Sequence, residues 1–165
     1  MEEIGEHWRK GLIRISHEHI ASHTIRTFLG GILSSANPHP SAPGVVVTTP
    51  ADQWHDVGAL VLAVAAASEG WDVTYLGANL PAEEIAGAAR TKGAKCVILS
   101  IVYPEDDPGV AKEIAKLRRA LPDNVYIISG GRASAGYGDA LEKADAIRVE
   151  SIYDLRTTLE SIRKR

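Results

Sequence analysis

The chain has 165 residues, a single cysteine and a net charge of −3. That length suits one compact domain with a small helical addition, burying roughly 70% of its unfolded surface without a disulfide or metal staple. The weak charge gives no field toward nucleic acid or anionic membrane, no stretch reaches the length of a membrane span, and the acidic start Met1-Glu2-Glu3 is unlike a secretory signal. Cys96 lies in an apolar run and reads as core, and a lone cysteine fits a reducing, cytoplasmic setting.

Residues 1–36 read as helical. Apolar positions Ile4, Trp8, Leu12, Ile15, Ile20, Ile25, Phe28, Leu29, Ile32 and Leu33 recur mostly at spacings of three and four. The spacing predicts two helices, Glu3–Arg14 and His19–Leu33. Two helices enclose no core of their own, so they must pack on the rest of the chain, on a large ligand or on another copy. A dimer is the commonest closed pairing, so a homo-oligomer is expected. His17-Glu18-His19 with His23 invites zinc, but position 21 is alanine, so the metalloprotease pattern H-E-x-x-H fails and no third ligand is placed. A polar helical stripe is the better reading.

Residues 37–44, with Pro38, Pro40 and Pro43 among small polar residues, read as a linker. Residues 45–165 then alternate. Strand candidates are Val45–Thr49, Val73–Gly77, Cys96–Ile101, Val125–Ser129 and Ala146–Val149. They are short, rich in Val and Ile and apolar on both faces, as a parallel sheet covered on both sides requires. Helix candidates are Trp54–Glu69, Ala82–Lys92, Pro108–Ala120, Ala135–Lys143 and Ile152–Lys164, with Gly70 and Gly93 as stops. Together they predict an α/β, flavodoxin-like five-stranded parallel sheet of order 2-1-3-4-5, carrying a short N-terminal helical cap.

The common occupants of such a sheet are excluded by its strand ends. Strand one ends Thr48-Thr49-Pro50 and strand three ends at Ser100, so no carboxylate cluster holds magnesium as in a receiver domain. P-loop and G-x-G-x-x-G patterns are absent, and Ser100 with His55 lacks a third orienting group for nucleophilic catalysis. What remains is His55 with Gly58 after strand one, Ser100 after strand three, and Gly130-Gly131 after strand four. Glycines let backbone approach a ligand closely, and a serine can bond one polar atom in an apolar slot. The set suggests a narrow crevice for a large ligand's tail, with a metal-ligating histidine at its mouth.

These residues resemble the cobalamin-binding domain family, whose motifs are D-x-H-x-x-G, S-x-L and G-G. Here they stand as Gln53-Trp54-His55-Asp56-Val57-Gly58, Ser100-Ile101-Val102 and Gly130-Gly131. The resemblance implies that His55 is the lower cobalt ligand and that the displaced nucleotide tail lies beside Ser100, Gly130 and Gly131. It also implies cofactor contacts from Gln53, Asp56, Val57, Gly58 and Val102. In the family an acid two residues before the histidine accepts the imidazole N–H. Gln53 would do so through its amide oxygen without charge, giving a more labile His–Co bond.

Trp8, nine residues, then Glu18-His19 is similar to the helical cap of MerR-type, adenosylcobalamin-dependent light-responsive transcription regulators. That resemblance implies that Trp8 covers the upper axial group, with Glu18 and His19 beside the adenosyl moiety. Arg9 stands where some members have a histidine, and no DNA-binding region is evident in this chain. The expected function is a cobalamin-binding photosensory or regulatory module, not an enzyme, with adenosylcobalamin favoured over hydroxo- or methylcobalamin. Its output would be a change in self-association or in binding to a protein partner. The alternatives are a corrinoid methyl carrier, the cobalamin subunit of a mutase, and a binder of another tetrapyrrole such as a bilin or haem.

Overall fold

The computed structural model describes residues 14–165. Residues 3–13 of the predicted helix Glu3–Arg14, and with them Trp8 and Arg9, lie outside the described residues, and Arg14 itself is extended. The described chain begins with α1, Ile15–Ser35, a single 21-residue helix longer than the predicted His19–Leu33. Its start includes His17, whose ring Nδ1 accepts the Arg14 N–H at 3.2 Å.

Five strands follow, β1 Gly44–Thr48, β2 Asp72–Tyr75, β3 Ala94–Ser100, β4 Tyr126–Gly130 and β5 Ala146–Arg148. All neighbours are parallel and the order is β2-β1-β3-β4-β5. This is the predicted doubly wound arrangement, with β1 and β3 at the point where the strand order reverses. The connecting helices are α2 Asp56–Ser68, α3 Ala82–Lys92, α4 Pro108–Ala120, α5 Gly138–Lys143 and α6 Ile152–Arg163. The predicted helix Ala135–Lys143 is instead a 3₁₀ segment, Arg132–Tyr137, running into the single short helix α5. Gly136 accounts for the tighter path: a Cβ there would collide with the Glu105 carbonyl oxygen. No helix among the described residues is long and apolar enough to cross a membrane.

Alternation along each strand divides the core into two layers. Val46, Val97, Leu99 and Ile127 face α3, α4 and α5. Val45, Val47, Cys96, Ile98 and Ile128 face α2 and α6, where Ala59, Leu62, Ala63, Ala66, Leu155 and Leu159 close the layer. The alanine-rich stripe of α2 lets that helix sit close to the sheet. The chain turns out of α2 through Gly70 (φ 74°) and out of α3 through Gly93 (φ 58°), conformations that cost glycine little.

Cys96 is fully buried, and burial pushes its thiol up to about 12. The thiolate is the reactive form, so the native protein is expected to resist iodoacetamide at pH 9 and to be alkylated once in denaturant. Intact-mass measurement checks this. Alkylation of the native form at the unfolded rate would show that β3 is not packed as described.

Candidate functional site

The loop between β1 and α2 is built before its histidine is reached. Thr49 Oγ1 donates to the Gln53 carbonyl oxygen and accepts the Asn79 N–H at 2.8 Å. Asn79 Oδ1 accepts the Asp52 N–H at 2.8 Å, and Thr48 Oγ1 donates to the Gly77 carbonyl at 2.9 Å. The loops that follow β1 and β2 therefore form one hydrogen-bonded unit at the carboxyl edge of the sheet. His55 leaves that unit at the residue before α2, with its side chain exposed and its ring 6.5 Å, centroid to centroid, from Tyr103.

Gln53 is 1% exposed, and its amide oxygen is already used. It accepts the N–H groups of Val102 and Tyr103 at 3.1 and 3.3 Å. This corrects the expectation that Gln53 accepts the imidazole N–H: two backbone donors just beyond β3 hold that oxygen inside the fold. Among the described residues neither ring nitrogen of His55 has a hydrogen-bond partner, and Gln53 Nε2 is buried without one.

Behind His55 the first turn of α2 lies almost on the sheet. A Cβ built on Gly58 would stand 2.7 Å from Ser100 Oγ and 3.6 Å from Val102 Cγ2, so a side chain there would require the serine hydroxyl to move. Among the described residues the Ser100 hydroxyl is buried without a hydrogen-bond partner, as is Trp71 Nε1, a state that costs roughly 1–3 kcal/mol where nothing else satisfies it. Ser100 is level with Gly130 in the β3–β4 register, and both face α2. A Cβ on Gly130 would meet Val149 Cγ2 at 3.3 Å and Leu62 Cδ1 at 3.5 Å. Gly58, Leu62, Ser100, Gly130 and Val149 thus form a closely packed cluster between α2 and the sheet, with apolar neighbours around one buried hydroxyl. Ser129 also has a buried unpartnered hydroxyl, but alternation turns it to the other layer.

Gly131 has a different role from the one expected. Its φ is 97°, and a Cβ there would collide with the Ile101 carbonyl oxygen. Ile101 N–H donates to Gly130 O at 2.9 Å, and Ile101 O accepts the Ala133 N–H at 3.0 Å. This crossing of two strand exits by itself requires glycine at 131.

The remaining candidates divide between helices. Asp56 is bound by Arg26 of α1, at 2.8 and 3.1 Å from Nε to its two carboxylate oxygens, and Tyr75 Oη lies 3.4 Å from it. The Tyr75 phenol is pushed up to about 12, first by burial and then by the Asp56 charge, so it remains a donor. Val57 and Val102 are half-buried beside Gly58. Glu18 accepts from Ser22 Oγ at 2.6 Å, and His19 and His23 are exposed. No cluster of three or more His, Cys, Asp or Glu able to hold a metal together occurs among the described residues.

Sequence reading missed Leu62, Val149 and Tyr103. Leu62 is one turn beyond Gly58 on the same helical face, and Val149 follows β5 at the edge where the other candidates cluster, so both carried a positional signal. Tyr103 carried none, because its link to Gln53 is through backbone.

The residues present suit a cobalamin: an exposed imidazole on the loop after β1, and glycines 58 and 130 beside a buried hydroxyl with free bonding capacity. The fold is flavodoxin-like, and the B12 binding domain family model matches residues 43–162, so this is a cobalamin-binding domain. The chain belongs to that family. It is 28% identical over 141 residues to the HTH-type transcriptional repressor CarH of Myxococcus xanthus, covering 86% of this chain and 47% of the repressor. It thus spans about half the length of that curated relative. It is 37% identical over 89 residues to ethylmalonyl-CoA mutase of Methylorubrum extorquens, 54% of this chain and 13% of the enzyme. The monomethylamine corrinoid protein of Methanosarcina barkeri superposes with a TM-score of 0.70 over 97% of this chain and 77% of that one. At 18% identity that likeness shows the fold.

The two glycines of the pair are expected to separate on substitution. Gly131→Val forces a left-handed backbone and a backbone clash, so it should lose roughly 2–5 kcal/mol without any ligand present. Gly130→Ala meets only side-chain methyl groups and should cost no more than about 1 kcal/mol. Urea denaturation of the ligand-free variants measures both, and equal losses would contradict the different surroundings described for them.

Proposed function

We propose that this chain is a cobalamin-binding regulatory module, with His55 as lower axial ligand and the nucleotide tail entering between α2 and the sheet beside Gly58, Ser100 and Gly130. The observation that carries the reading is the buried Ser100 hydroxyl, without a partner among the described residues, beneath the turn of α2 that follows the exposed His55. A tail polar atom would satisfy that hydroxyl. Leu62 and Val149, whose side chains border Gly130, would then pack against the tail. When bound, adenosylcobalamin supplies a cobalt–carbon bond that light can break. The protein's part is to hold that bond between a ligand below and a helix above.

α1 is placed to be that helix. Arg26 is tied to Asp56 at the start of α2, while Leu33 packs on the layer shared by α2 and α6. The segment Ile15–Ile25 therefore continues past the sheet edge. At 1.5 Å per residue, Glu18 and His19 stand about 10–12 Å beyond the level of Arg26. This supports their assignment to the upper face. Ile20 and Phe28 on α1 are 65% and 67% exposed. Such a stripe favours burial against a second copy, with association dependent on what the helix covers.

A corrinoid methyl carrier or mutase subunit is the second reading, and the match to ethylmalonyl-CoA mutase over 89 residues favours it. The two readings share His55 and differ above the corrin. Adenosylcobalamin-loaded protein should show a His-ligated absorption spectrum, which His55→Ala converts to a base-off form. Ser100→Ala should weaken uptake about tenfold or less, the scale of one hydrogen bond to a buried group. An unchanged spectrum in His55→Ala removes the ligand assignment.

Green illumination should change the mass measured by light scattering, and Trp8→Ala should alter that response while binding persists. One mass for ligand-free, dark-loaded and illuminated protein would leave the carrier reading in possession of the site.

A further inference from the structure

The acid that orients the histidine in the family is Gln53 here, and its oxygen is committed to backbone. We propose that Tyr103 holds the His55 imidazole in its direction, and that Gln53 is a positioning residue acting through Tyr103. The proposal rests on His55 being the ligand. The two rings lie at 79° with centroids 6.5 Å apart, an edge-to-face arrangement within the range where aromatic quadrupoles attract. Tyr103 is fixed at its backbone from both sides. Its N–H and that of Val102 donate to the buried Gln53 Oε1. Beyond it, Tyr137 Oη donates to the Pro104 carbonyl at 2.7 Å and accepts the Asp107 N–H at 3.0 Å. The ring of Tyr103, 61% exposed, thus hangs from an anchored loop beside an imidazole with no hydrogen-bond partner among the described residues.

Two functions that a carboxylate combines are separated by this arrangement. A carboxylate both aims an imidazole and adds electron density to it. An aromatic neighbour aims it and adds little. The cobalt bond would keep its direction while losing charge support.

The test uses the full chain labelled with ¹⁵N-histidine and loaded with cob(II)alamin. Electron paramagnetic resonance then distinguishes a ¹⁵N ligand, which splits each cobalt line into two, from the ¹⁴N of the cofactor's own base, which splits it into three. Wild type should give doublets, and His55→Ala should lose them. Tyr103→Phe should keep the wild-type ratio of His-bound to base-off cofactor, while Tyr103→Leu should lower it about tenfold. Gln53→Glu, which keeps an acceptor for both N–H groups, should retain the Tyr103 ring position. Gln53→Ala should lower the ratio, and Gln53→Ala with Tyr103→Leu should fall no further than the worse single variant.

A wild-type ratio in Tyr103→Leu overturns the proposal, and an additive loss in the double variant overturns the role of Gln53. Doublets absent from wild type would instead defeat the His55 reading. The orientation claim is then decided by the ring-proton shifts of His55 in ligand-free protein. A ring-current shift lost in Tyr103→Leu supports it, and unchanged shifts overturn it.

Discussion

The close seating of α2 on β3 is the constraint on which the site depends. Its first turn rests directly over Ser100 because position 58 has no side chain. A side chain at 58 would meet the Ser100 hydroxyl and press on the contact that seats the start of α2, the turn that follows His55. The same contact buries a hydroxyl without a partner, so the fold accepts a local cost where a ligand atom could remove it. Stable proteins seldom leave such groups inside, and where they do the reason is commonly a function.

Around that contact the chain has separated rigid from attached parts. Threonines 48 and 49, Asn79 and Gln53 lock the loops of β1, β2 and β3 to one another. By contrast, α1 packs along α2 outside the sheet layers, with Leu33 at the edge of the core and the partly exposed Arg26–Asp56 ion pair at the start of α2. An exposed pair of this kind contributes about 1 kcal/mol or less.

The fold was legible because it is written in periodicity. Short Val- and Ile-rich runs such as Val45–Val47 and Cys96–Leu99, alternating with Ala-rich helical stretches, leave few alternatives to a parallel sheet. The helix over Ala135–Lys143 was read too long because a backbone approach to Glu105, not local pattern, tightens the chain at Gly136. His55, Gly58, Ser100 and Gly130 could be grouped since each follows a strand end, and strand ends of one sheet share an edge. The backbone partners of Gln53 and the close approach at Gly131 are not legible for a common reason: each involves a backbone group far along the chain, and backbone groups carry no signature in sequence.

The bonds that hold the histidine loop join distant residues. Asp52 to Asn79 spans 27 positions, Asn79 to Thr49 spans 30, and Gln53 to Val102 spans 49. None can form until β1, β2 and β3 have come together, and closing loops of that length is entropically slow relative to local structure. A nascent chain would carry its helices well before it carried a presented imidazole. The loop that carries His55 is thereby completed only when the three strands that frame it are already paired.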